Sequence, residues 1–170
     1  MLEKTIDNLV LEVKKEALER GYALDMPTVG KSMFPFLTGR DRIFISRCEQ
    51  DKLRRGDLIL FRRNNEENIY VAHRLMRKIK NAHGYTLVTK GDAHLNYDKP
   101  INSDLLIGKI TKIKTPYASI YLEGTAGRII NVSMFLISLT RIIGFGLWFF
   151  KRIKILSYRC MTVTKRILGG

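Results

Sequence analysis

The sequence predicts a mainly β protein. A coiled, barrel-like antiparallel sheet is flanked by an N-terminal amphipathic helix and a C-terminal hydrophobic and basic helical segment. Three observations carry this expectation. Between Tyr22 and Leu122, short runs rich in β-branched, aromatic and aliphatic residues recur at regular spacing, with turn-forming stretches between them. Before them, apolar residues recur at helical spacing. After them, the chain becomes strongly apolar and loses its acidic residues altogether.

The N-terminal helix is expected over residues 2–20. Leu2, Ile6, Leu9, Val10, Val13 and Ala17 form one face, and Glu3, Lys4, Asp7, Lys14 and Lys15 fill the other. Gly21 is a natural stop, because it tolerates the left-handed conformation that follows a helix. The mixed charge of the polar face argues for packing on the domain over lipid contact. The N-terminus is charged and lacks an apolar core segment, so no cleavable signal peptide is expected.

The strands are expected at Arg42–Arg47, Leu58–Phe61, Ile69–Ile79, Tyr85–Lys90, Leu105–Ile113 and Ala118–Leu122. The stretches Thr38-Gly39-Arg40-Asp41, Arg55-Gly56-Asp57, residues 64–68, Asn81-Ala82-His83-Gly84 and Asp98-Lys99-Pro100 separate them as turns. Residues 22–123 then form one β-rich domain. Glu123-Gly124-Thr125-Ala126-Gly127 reads as a hinge, and residues 124–170 as a separate membrane-association segment.

Within that segment, residues 129–150 hold a single charge, Arg141, over a length sufficient to cross a bilayer. Asn131, Ser133, Ser138 and Thr140 weaken the apolar run. Trp148, Phe149 and Phe150 beside Lys151, Arg152 and Lys154 resemble an interfacial anchor. Three placements stay open: a spanning helix, a helix lying in the interface, and a docking helix on a soluble protein.

The charge pattern narrows the partner. The net charge is +14, and residues 124–170 hold eight of the 30 Lys/Arg and none of the 16 Asp/Glu. Cationic and apolar together point to membrane lipid through residues 129–154, and not to nucleic acid. No helix-turn-helix, internal repeat or low-complexity tract is visible. Cys48 and Cys160 lie far apart in no metal-ligand spacing, so neither a disulfide nor a metal site is expected, and no cofactor.

The chemistry concentrates in four stretches. Gly30-Lys31-Ser32-Met33-Phe34-Pro35 presents a hydroxyl on a turn constrained by Gly30 and Pro35. An alcohol needs a base within hydrogen-bond reach to attack a carbonyl. Val71-Ala72-His73-Arg74-Leu75 offers one. Period-2 alternation puts His73 on an inward face with Val71 and Leu75, and imidazole accepts a proton near neutral pH. Lys78 and Lys80 on the same strand read as solvated charges. Lys90-Gly91-Asp92 and Asp98 supply two carboxylates in one loop, either of which could orient an imidazole. His94 in that loop is a rival base or a substrate contact, whereas His83 falls in a hairpin turn.

Taken in order, these stretches resemble type I signal peptidases of the Ser-His kind. Ser32-Met33-Phe34-Pro35, Gly56-Asp57-Leu58-Ile59, His73-Arg74-Leu75, Lys90-Gly91-Asp92 with Asp98, and Ile107-Gly108-Lys109-Ile110 match that family's succession over about residues 28–112. The resemblance implies Ser32 as nucleophile, His73 as general base and Asp98 as the third member, with Asp92 holding the loop in shape. It implies a serine endopeptidase that cuts a precursor or leader peptide after small residues at a membrane. Many relatives carry a hydroxyl residue where this chain has Gly30, and often Asn where it has His94. Their usual N-terminal anchor is replaced here by the C-terminal apolar run. The basic tail favours a cytoplasmic side for itself, while the side that the site faces stays open. A non-catalytic, membrane-associated binding module on the same fold is the alternative. A self-cleaving repressor would need a DNA-binding module, for which residues 1–21 are too short.

Overall fold

The computed structural model describes residues 16–63 and 69–139. The expected helix over residues 2–20 falls mostly outside them. Residues 16–19 are helical, and Leu18 is buried in the core.

Eight strands form one antiparallel, curled half-barrel sheet. They are β1 (Leu24–Pro27), β2 (Arg42–Ser46), β3 (Leu58–Arg62), β4 (Tyr70–Asn81), β5 (Gly84–Lys90), β6 (Ile101–Asn102), β7 (Leu106–Lys114) and β8 (Ser119–Tyr121). Their spatial order is β1-β2-β7-β3-β4-β5-β6, and β8 pairs with β7. The central position of β3 explains its unbroken apolar run. Leu58 and Leu60 enter one core cluster with Met33, Leu37, Ile43, Ile45, Ile110 and Ile113. Ile59 and Phe61 enter a second with Leu53, Leu75, Leu87 and Ile101. A strand covered on both faces has no need of polar alternation. Register breaks at Phe44/Ile45, Leu60/Phe61 and Leu75/Arg77 are the irregularities by which antiparallel sheets bend and twist.

The six expected strands are present with ends shifted by one or two residues. β1 and β6 were not expected: Leu-Asp-Met-Pro carries Asp and Pro, and β6 is two residues long. The expected hinge over Glu123–Gly127 is not one. An α-helix, α1 (Gly124–Leu139), begins there.

α1 lies against the sheet with Gly127, Asn131 and Ser138 buried and with Ile129, Val132, Leu136, Ile137 and Leu139 exposed. Asn131 Nδ2 donates to Leu122 O (3.3 Å), and Lys90 Nζ donates to Ser138 O. The Arg128 guanidinium sits 3.5 Å from the fully buried Asp57 carboxylate, which also meets Lys109 Nζ at 3.1 Å and the Arg54 backbone N–H at 2.8 Å. The helix therefore buries Gly127, Asn131 and Ser138, packs Ile130 partly against the core, and leaves an apolar stripe of Ile129, Val132 and Leu136 exposed. Among the described residues no helix is long and apolar enough to cross a membrane. The remainder of the apolar run lies outside them, as does Cys160.

Candidate active site

β4 positions two neighbouring functional side chains on opposite faces, as strand alternation requires. His73 stands opposite Ile59 on β3, between Val71 and Leu75, with its ring against the edge of Phe61. Arg74 is fully buried on the other face and stands opposite Leu58.

The loop from Gly91 to Pro100 joins β5 to β6, and its shape follows from internal anchors. Arg74 grips Asp92 with two bonds, Nε to Oδ1 at 2.8 Å and Nη2 to Oδ2 at 2.7 Å, and donates a third from Nη1 to Gly56 O at 2.7 Å. The Asp92 N–H points at Met33 Sδ (3.4 Å), and the Ala93 N–H donates to Ser32 O (2.9 Å). Asp92 and Arg74 thus frame the site from below, and Met33 joins the two loops. Pro35 follows a cis Phe34–Pro35 bond at the exposed rim.

The Ser32 loop is braced at its base by two residues that the sequence reading did not single out. Thr28 Oγ1 donates to the carbonyls of Thr38 and Asp41. The buried Asp41 carboxylate accepts the Thr38 N–H (2.6 Å) and the Thr38 hydroxyl (3.0 Å). Asp41 ends a turn stretch, which is the signal that could have marked it.

His73 and Asp98 meet directly, Nδ1 to Oδ2 at 2.6 Å. Burial pushes the Asp98 carboxyl up, but the hydrogen bond and charge of His73, the Thr89 hydroxyl and the charge of His94 together hold it below the usual carboxylate range. An ionised carboxylate only accepts hydrogen bonds, so His73 Nδ1 carries the proton. Whenever the ring is neutral, its lone pair is therefore on Nε2.

Nε2 and the Ser32 backbone carbonyl both lie close to Gly91. The point where a side chain on Gly91 would begin lies 2.6 Å from Ser32 O, 3.1 Å from His73 Nε2 and 3.0 Å from His94 Nδ1. Any residue but glycine would push these groups apart. Half-buried Ser32 and buried His73 line one cleft of about 230 Å³, walled by Met26, Leu37, Ile43, Leu60, Tyr70 and Ala72. Among the described hydrogen bonds none joins the Ser32 hydroxyl to the ring. Nucleophile–base contacts in empty sites are commonly longer than in the loaded complex.

His94 is exposed and stands edge-on to His73, with ring centroids 5.5 Å apart. Partial desolvation of its ring against the loop, then the charges of His73 and Lys90, lower its pKa against the opposing pull of Asp98. It makes no bond to Asp98, so it lacks the carboxylate partner that His73 has. Lys78 donates to the carbonyls of Gln50 and Asp51, away from the cleft. Lys31 and Gly30 are exposed, and Lys31 borders a neighbouring apolar cavity and not the Ser32 cleft. Gly30 lines the cleft without a hydroxyl to offer. Among the described residues no group of three or more His, Cys, Asp or Glu is placed to hold a metal.

Protein-family models give no match to this chain, and no curated protein matches it. What the site can do rests on its own geometry.

Proposed function

We propose that this protein is a serine endopeptidase of signal-peptidase type, cleaving a precursor or leader peptide at or near a membrane. The observation that carries this reading is the His73–Asp98 bond of 2.6 Å at Nδ1, with His73 and Ser32 lining the same cleft. Ser32 Oγ attacks the scissile carbonyl carbon as His73 Nε2 takes its proton. Asp98 stabilises the imidazolium, and His73 then protonates the leaving amine. Water, deprotonated by the same ring, releases the acyl group from Ser32. The backbone N–H of Ser32 faces the developing oxyanion, and because residue 30 is glycine the second donor comes from elsewhere.

The cleft runs between Met26–Val29 at the end of β1 and Tyr70–His73 on β4. An extended peptide fits such a slot, and its volume favours small side chains. The domain itself is then of signal-peptidase type. For the membrane, the support is the outward apolar stripe of α1 and the acid-free, basic composition of residues 124–170.

A non-catalytic, membrane-associated binding module on this fold is the second reading, favoured by a Ser32 hydroxyl that has no hydrogen bond to His73 among the described residues. Purified protein offered precursor peptides with small residues before the bond decides between the two. Peptidase chemistry gives cleavage that Ser32→Ala and His73→Ala each abolish while the fold persists. Unchanged cleavage in both variants, or none in the parent protein, overturns it.

A further inference from the structure

Thr89 sits near the end of β5, opposite Leu75, fully buried at the edge of the cluster that contains Leu75, Leu87 and Ile101. Alternation along β5 puts it on the same face as Leu87. A valine would fill this position with nearly the same shape. A hydroxyl in such surroundings costs free energy unless it is hydrogen-bonded. Among the described residues this one has a single partner: Thr89 Oγ1 donates to Asp98 Oδ2 at 2.7 Å.

That oxygen is the one that receives His73 Nδ1. The Thr89 backbone acts on the same residue, since its carbonyl accepts the Asp98 N–H at 2.8 Å. Asp98 itself belongs to no strand and its side chain is 26% exposed, so besides His73 its placement depends on Thr89. Thr89 supplies two bonds. One holds the Asp98 backbone against the strand, and the other aims Oδ2 at the ring.

We infer that Thr89 is a positioning residue of the Ser32–His73–Asp98 relay, holding the Asp98 carboxylate aligned on His73 through its buried hydroxyl. This inference rests on the peptidase reading for its catalytic consequence, but the brace itself can be observed without substrate. Thr89 touches no reacting atom and acts only through Asp98. Its loss lowers turnover and leaves substrate binding in the cleft largely intact. Groups facing Asp98 from the surrounding elements are His73 on β4, Thr89 on β5 and His94 in the loop itself, and of these only Thr89 is uncharged in every state.

The test compares Thr89→Val, Thr89→Ala and Thr89→Ser in the full chain. Two readouts need no activity: the titration of the Asp98 carboxyl carbon by NMR, and the downfield signal of the His73 Nδ1 proton. Thr89→Val and Thr89→Ala raise the Asp98 midpoint and broaden the proton signal, and Thr89→Ser restores both. In cleavage assays kcat falls about tenfold in Thr89→Val, the size of one lost hydrogen bond to a charged group, with KM nearly unchanged. Thr89→Ser recovers most of that loss. If Thr89→Val fails to fold, Thr89→Ala gives the same readouts. An Asp98 midpoint and proton signal unmoved in the folded variants overturn the brace. A raised midpoint in a protein that cleaves nothing upholds the brace and removes the peptidase reading.

Discussion

Arg74 and Asp92 form a two-pronged ion pair sealed completely from solvent, at 2.8 and 2.7 Å, across 18 residues of sequence. The pair fastens β4, which carries His73, to the loop that carries Asp98. A third Arg74 bond, to Gly56 O, extends the network to the turn beneath α1. Removing one member leaves the other charge buried and unpaired. Asp92→Asn and Arg74→Met are each expected to cost about 3–5 kcal/mol of stability. Urea unfolding checks this, and a loss below about 1 kcal/mol from either change contradicts the assigned role.

Gly56 is held at φ +89°, where a side chain is strained, and an added Cβ would sit 3.0 Å from Asn131 O and 3.1 Å from Phe135 Cβ. Both of these atoms belong to α1, so the strand turn and the helix must separate. Gly56→Ala is expected to destabilise the protein by about 1–3 kcal/mol. It should also speed amide exchange in α1 ahead of exchange in β3. A thermal transition and α1 exchange identical to the parent protein count against this contact.

Much of the fold is legible from residue pattern because packing and pattern agree there. Leu58–Phe61, Tyr85–Lys90 and the hairpin turn around His83 follow directly from side-chain type. The helix start is hidden because Gly124 and Gly127 read as breakers. Gly127 is instead buried against Leu122, where no side chain has room. Tertiary contact overrides propensity at that point. The site shows the same division. Ser32, His73 and the carboxylates Asp92 and Asp98 stand out by chemical type and order, the preference for Asp98 resting on the family resemblance, and β4 turns His73 inward as the alternation indicates. Thr28, Asp41 and Thr89 act through partners that only folding supplies. No periodicity reveals that a strand threonine faces a carboxylate nine residues on.

Asp98 gives a pH prediction with a definite sign. Its folded pKa lies below the value of about 3.9 for an unfolded aspartate. A depressed carboxyl pKa adds stability that is fully present above the unfolded value and is lost as pH falls through the folded value. The stability gap between the parent protein and Asp98→Asn is therefore largest near neutral pH and closes in acid. Urea midpoints measured from about pH 7 down to about pH 3 test this. A gap that stays constant or widens in acid contradicts the assignment.

The outward stripe on α1 makes the membrane reading testable apart from catalysis. Ile129→Glu together with Leu136→Glu places charge where two exposed apolar side chains stand. Burying each such side chain in lipid is worth about 1.5–3 kcal/mol, so vesicle affinity should fall about a hundredfold or more. Binding of the parent protein should require anionic lipid and weaken in salt. Cleavage of a soluble peptide should be unchanged. Equal vesicle binding by parent and variant removes α1 from the contact.

The central claim is that the Ser32 hydroxyl is a nucleophile activated by His73. A serine-reactive acylating reagent, followed by mass mapping of the adduct, measures this without knowledge of the substrate. The account predicts a single stoichiometric adduct on Ser32, absent in Ser32→Ala and formed about a thousandfold more slowly in His73→Ala. An unlabelled protein, or labelling of Ser32 at the same rate with and without His73, contradicts it.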